Sequence, residues 1–122
     1  MKVLKITYPT DLTTISDKEN DNIDVFVELE DGSNITLVVG TPKNLIFQME
    51  SNRLEYITAP NLDIIVKSLS AKTIQQAIEA YADGDAFWMK ALYAMSIDKN
   101  VIEMDRINGL FRDVKHMNSE LN

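Results

Sequence analysis

The chain has 122 residues, of which 45% are apolar and 25% charged, with a net charge of −7 and no cysteine. That length and composition fit one globular domain, residues 1–122, and exclude global disorder; the missing cysteine excludes a disulfide framework, a thiol nucleophile and thiolate-bound zinc. The negative charge disfavours nucleic acid and anionic membranes as partners, and no apolar run approaches the ~20 residues that span a bilayer.

Residues 2–8, "KVLKITY", place Leu4, Ile6 and Tyr8 on one face, the period-two alternation of a half-buried strand ended by Pro9. The stretch is too short and too polar for a signal peptide, so a cytoplasmic protein is expected. Residues 9–22 read as a polar connection. "NIDVFVELE" then alternates, with Ile23, Val25, Val27 and Leu29 on one face and Asp24, Phe26, Glu28 and Glu30 on the other. "DG" follows, and Ile35, Leu37 and Val39 repeat the alternation in "SNITLVVG". An Asp-Gly pair between two such runs predicts a β-hairpin, with Gly32 at positive φ in a two-residue turn or a G1 bulge.

The period changes at "GTPKNLIFQMES". Thr41 suits the cap and Pro42 the first turn of a short helix that buries Leu45, Ile46 and Met49. "RLEYIT" (53–58) and "LDIIVKSL" (62–69) read as two further strands separated by Ala59-Pro60-Asn61. Ile74, Ala77, Ile78 and Tyr81 mark a helix capped by Ser70 or Thr73, and Gly84 suits the left-handed position after it. Asp85 can cap the next helix, "AFWMKALYAMS", whose core stripe is Trp88, Ala91, Leu92 and Met95. A last helix, about 101–116, carries Ile107, Leu110, Phe111 and Val114, and the tail "MNSELN" is expected to fray. Strands early and helices late predict an α+β fold, a single domain with an antiparallel sheet of four to five strands and helices packed on one face.

No complete catalytic pattern is present. Asp17, Glu19, Asp21 and Glu28 repeat a fragment of a calcium-loop spacing, but a strand occupies the loop's second half, so an acidic turn and no metal site are expected. Asp83 and Asp85 read as helix punctuation, and the single histidine, His116, as a cation near a helix C-terminus. Gly-Thr-Pro before the first helix lacks the glycine spacing of a phosphate-binding loop. No cofactor is expected.

Residues 1–31 hold eight acidic and three basic side chains, so most of the excess charge lies in the first quarter of the chain. Asp17, Glu19, Asp21 and Asp24 are therefore candidate contacts for a basic partner. Phe87 and Tyr93 lie off the expected stripe of their helix and are the aromatic candidates. The stretches "MKVLKITYP", "NIDVFVELEDGSNITLVVGTPKNL" and "LDIIVKSLSAKTIQQAIEAYADGDAFWMKALYAMS" resemble small bacterial immunity proteins of polymorphic toxin systems, including contact-dependent inhibition systems. The likeness lies in size, acidity and α+β texture, and carries no site residue across. It implies a non-catalytic cytoplasmic binding protein that inhibits a basic toxin domain such as a nuclease. Two other readings are a module that self-associates, as a homo-oligomer, through the 85–96 helix, and a hydrolase with an unmarked site.

Overall fold

The computed structural model describes residues 1–58 and 61–121. The chain forms two compact units, residues 1–90 and 91–122. The first is built on a four-stranded sheet in the order β1-β2-β3-β4, with β1 (Val3–Thr7), β2 (Asn22–Leu29), β3 (Asn34–Gly40) and β4 (Ile64–Ile65). The first three strands are antiparallel, and β4 runs parallel to β3. The fold is α+β with a mostly antiparallel sheet, as the residue pattern predicts.

Period-two alternation puts Ile23, Val25, Val27 and Leu29 of β2 and Ile35, Leu37 and Val39 of β3 on one buried face. Ile74 and Ile78 of helix α2 (Ala71–Tyr81) are buried as well, with Leu69, Val66 and Met89. In β1 the alternation is broken. Val3 pairs with Leu29 and Lys5 with Glu28, so Leu4 is an extra residue in a β-bulge. Leu4 is thereby turned outward, while Val3 takes the inward role expected of it.

The hairpin forms at the Asp-Gly pair, with a three-residue loop. The Leu29 N–H donates to Ser33 O at 2.9 Å, and the Gly32 N–H to Leu29 O at 3.0 Å. Gly32 alone in the loop takes positive φ, at 87°, which is the type I turn plus G1 bulge arrangement. Space is open around its missing Cβ, so a side chain there would act only through the backbone. Gly32→Val should destabilise the fold by about 1–2 kcal/mol, because a β-branched residue is strained in the left-handed region, and Gly32→Asn by less. Thermal melts of the two variants test this; an unchanged midpoint for Gly32→Val would argue against the turn.

Helix α1 (Pro42–Ser51) starts as predicted: Thr41 Oγ1 accepts the Asn44 N–H at 3.3 Å, and Pro42 takes the first turn. Its buried face differs from the expectation. Ile46 is exposed, Leu45 and Met49 are half-buried, and the buried residue is Asn44. The helix ends through a left-handed Arg53 (φ 55°), with Arg53 N–H to Glu50 O at 3.2 Å and Leu54 N–H to Met49 O at 2.8 Å.

No strand follows at 53–58. Leu54 and Tyr56 are exposed, and the free edge of β3 is taken by β4 instead. The strand expected over 62–69 shrinks to Ile64–Ile65. It docks through the Asp63 N–H to Val38 O at 2.8 Å and the Val66 N–H to Gly40 O at 2.9 Å. The Asp63 carboxylate also accepts the Val38 N–H at 2.7 Å, standing in for a backbone carbonyl on this edge. Ala59 and Pro60 of the expected connection lie outside the described residues, as does Asn122 of the tail.

Ser70, not Thr73, caps α2, accepting the Thr73 N–H at 3.3 Å. Gly84 is left-handed (φ 67°), as expected, and Ala86 is too (φ 58°). The Asp85 carboxylate accepts the Phe87 N–H at 3.1 Å at the start of α3 (Phe87–Ile97). Lys90 bonds the Asp31 carboxylate in the hairpin loop, and with the Ser33 N–H holds that carboxyl down at about 2.

The second unit contains the end of α3, a single 3-10 turn at Lys99–Val101 and α4 (Met104–Leu121). The last helix starts later than expected and continues through the tail that was expected to fray. His116 therefore lies inside the helix, exposed, with Nε2 3.0 Å from Glu120 Oε1 one turn on. The expected stripe of Leu110, Phe111 and Val114 is exposed.

Candidate functional site

The outward face of the sheet carries the second set of alternating β2 side chains: Asn22, Asp24, Phe26 and Glu28. Register places Thr7 and Thr36 on either side of Phe26, and Lys5 and Asn34 on either side of Glu28. Phe26 is 45% exposed, between two carboxylate-bearing positions on its own strand. A large aromatic ring left in water on a rigid strand, with charge around it, has the composition of an interface anchor and its rim.

Toward α1 the same face deepens into a cleft of about 340 Å³, lined by Asn22, Asp24, Val38, Leu45, Gln48 and Asn61 among others. That volume is at the small end of the range for small-molecule sites.

Two of the lining residues, Asn22 and Gln48, belong to a cluster of carboxamides. Asn44 Oδ1 accepts from Asn22 Nδ2 at 2.8 Å and from Gln48 Nε2 at 2.7 Å, and Asn44 Nδ2 donates to Asn20 Oδ1 at 3.1 Å. Thr41 Oγ1 reaches the Asp21 carbonyl at 3.5 Å. The cluster ties the acidic segment 16–21 to the first turns of α1. A further bond, the Leu69 N–H to Lys18 O at 2.8 Å, ties it to the segment before α2. The acidic segment is thus a shaped loop pinned at both sides.

Within that loop Asp17 accepts the Glu19 N–H at 3.0 Å, and Asp21 accepts the Asn22 N–H at 2.8 Å. Glu19 pairs with Lys43 at 3.5 Å, both side chains well exposed, a geometry that contributes little to stability. Glu28, the fourth member of the calcium-like spacing, is held in β2 between Lys5 and Asn34. Among the described residues no group of three or more His, Asp or Glu side chains is placed to hold a metal ion.

The chain matches no protein-family model, no curated protein sequence and no solved structure.

The structure brings three of the candidate acids, Asp17, Glu19 and Asp21, into one loop, and sets Asp24 at the start of the sheet's outward face. Phe87 is exposed and meets Trp88 edge-on, ring centroids 5.3 Å apart at 81°. Trp88 and Leu92, which the residue spacing assigns to the core stripe of α3, are exposed, Trp88 to 65%, and Met89 is buried in their stead. Nine of the eleven residues of this helix are apolar or aromatic, so spacing alone does not choose a buried face. Tyr93 is half-buried. No helix of the described residues is long and apolar enough to cross a membrane.

Sequence reasoning missed Asn44, Gln48 and Phe26. Asn44 and Gln48 are one helical turn apart, and Asn20 and Asn22 two residues apart, but nothing in either spacing says that the two pairs meet. Phe26 stood on the polar side of its strand, and that misplaced aromatic was the available signal.

Proposed function

We propose that this chain is a non-catalytic binding protein of the bacterial cytoplasm, an immunity-type inhibitor that engages a basic toxin domain through its acidic first unit. The observation that carries the reading is the exposed Phe26, set between Asp24 and Glu28 on the open sheet face and continuous with the pinned acidic loop. Residues 1–90 hold fourteen acidic and eight basic side chains, against five and four in residues 91–122, so the acidic excess lies almost wholly in the unit that carries this surface. A nuclease holds phosphates with cationic side chains, and an acidic surface competes for those side chains and speeds encounter by steering.

The experiment is association kinetics with the basic domain encoded beside this chain, as a function of salt. Asp17→Asn, Glu19→Gln, Asp21→Asn and Asp24→Asn together should slow association about tenfold at low ionic strength. The amides keep the oxygens that accept the Glu19 and Asn22 N–H groups, so the loop should hold its shape. The difference should vanish toward 1 M salt, where the screening length is roughly 3 Å. Phe26→Ala should act on dissociation instead. Equal association rates at low salt for wild type and the quadruple variant would remove the acidic loop from the contact.

A further inference from the structure

We infer that the helical unit 91–122 is a self-association element, in which α4 packs its apolar stripe against α4 of a second copy of this chain. The starting observation is that no residue from 91 to 120 is buried. Ala91, Tyr93, Ala94, Met95, Ile107 and Gly109 are half-buried, and every other position in that range faces water. A segment of this length is below the roughly 40 residues at which a chain commonly sustains a core without metals, disulfides or oligomerisation.

The stripe has the spacing of a helix–helix seam. Met104, Ile107, Phe111 and Val114 recur at alternating steps of three and four, with Leu110 and Met117 along one flank. That is the a/d repeat by which two helices interlock side chains. Met104 and Phe111 are 65% and 67% exposed, so the strongest members of the repeat are the least covered. His116 projects from the opposite side of the helix, at the outermost heptad position.

Area and charge choose the occupant. Taking about 200 Å² for a large apolar side chain fully in water, the five exposed stripe and flank residues of α4 offer roughly 600 Å². Ile97, Val101 and Ile102, exposed in the same unit, raise this to roughly 900 Å², against about 800 Å² per partner in a stable interface. The unit is nearly neutral, with five acidic and four basic side chains interleaved along it. An isologous pairing brings like surface to like surface, and a near-neutral helix permits that without repulsion. A partner chosen by charge would find nothing here to recognise. Two such units, each an end of α3 joined to α4, supply the helices of a small bundle.

The test is the mass of the full chain in solution at micromolar concentration. Wild type should run at twice the 13.8 kDa chain mass, and Phe111→Glu with Val114→Glu at the single-chain mass with the sheet unit still folded. Because the wild type has no cysteine, single substitutions report contact between copies directly. On oxidation, either Phe111→Cys or Val114→Cys should cross-link at least tenfold faster than His116→Cys. A wild-type monomer with fast amide exchange in α4 would overturn the inference. So would a monomer whose α4 amides are protected, since the chain's own first unit would then cover the stripe. A dimer that survives the double substitution, or equal cross-linking at position 116, would place the interface elsewhere.

Discussion

Leu37→Ala should lower the unfolding free energy by about 2–5 kcal/mol, while Phe26→Ala should lower it by much less than half as much. Leu37 is 1% exposed on β3 and stands opposite Val25, itself wholly buried, in the middle of the sheet's inward face. Removing its branched end takes away apolar contacts and leaves a void that the paired strands on either side cannot close. A chain of this size has roughly 6–18 kcal/mol of stability in all, so the loss is a large fraction of it. Phe26 lies one residue out of phase, on the other side of the sheet, and its ring already spends much of its surface in water. Urea unfolding of both variants, compared at equal m-value, gives the two losses. Comparable losses would mean that the outward face is also a packed core, and the surface proposed for partner binding would then be unavailable.

Asn44→Ala should cost about 2–3 kcal/mol and should loosen the acidic loop. Asn44 is 8% exposed and is the hub of three side-chain hydrogen bonds, to Asn20, Asn22 and Gln48. Each such bond is worth about 1 kcal/mol net, and the partners left behind are only partly able to turn to water. Asn44→Asp separates the roles. It keeps the acceptor for Asn22 and Gln48, but the ionised carboxylate has no N–H for Asn20 and adds charge near Asp21. Hydrogen exchange resolves the consequence: amides of residues 16–21 should exchange faster in Asn44→Ala than global destabilisation alone accounts for. A purely global increase, uniform across loop and sheet, would show that Asn44 stabilises the fold without pinning the loop. Association with a basic partner should slow in step with the loosening, because a disordered loop must be ordered on contact.

The elements whose formation depends on neighbours in the chain are legible in the residue pattern. The hairpin needs only two alternating runs and Gly32, since the left-handed turn position admits glycine and few other residues. Thr41 with Pro42 marks the start of α1, because a cap is satisfied by an N–H three residues on, and Gly84 marks the left-handed turn just beyond α2, which glycine adopts freely. The two faces of β2 are legible for the same reason: side-chain direction alternates by geometry alone.

What the tertiary structure decided is where local rules leave a choice open. Residues 53–58 carry strand-forming side chains, Tyr56, Ile57 and Thr58 among them, but a strand needs an edge to pair with, and Asp63–Val66 occupies the one that β3 offers. In β1 a single extra residue, Leu4, puts Val3 in its place on the inward side while Ile6 keeps its own, and nothing in the spacing of seven residues announces a bulge. Helix α3 is apolar on nearly all sides, so only packing could choose Met89 over Trp88 for the interior. Asn20, Asn22, Asn44 and Gln48 are polar residues on separate elements, and their common hydrogen-bonded cluster exists only because the chain returns α1 to the start of β2. Composition, periodicity and caps thus determined the hairpin, the helix starts at Thr41 and near Ser70, and the α+β class by themselves, since these follow from contacts within a few residues. The pinned acidic loop, the outward Phe26 and the uncovered stripe of α4 were settled only by the fold, since burial depends on which distant surfaces meet.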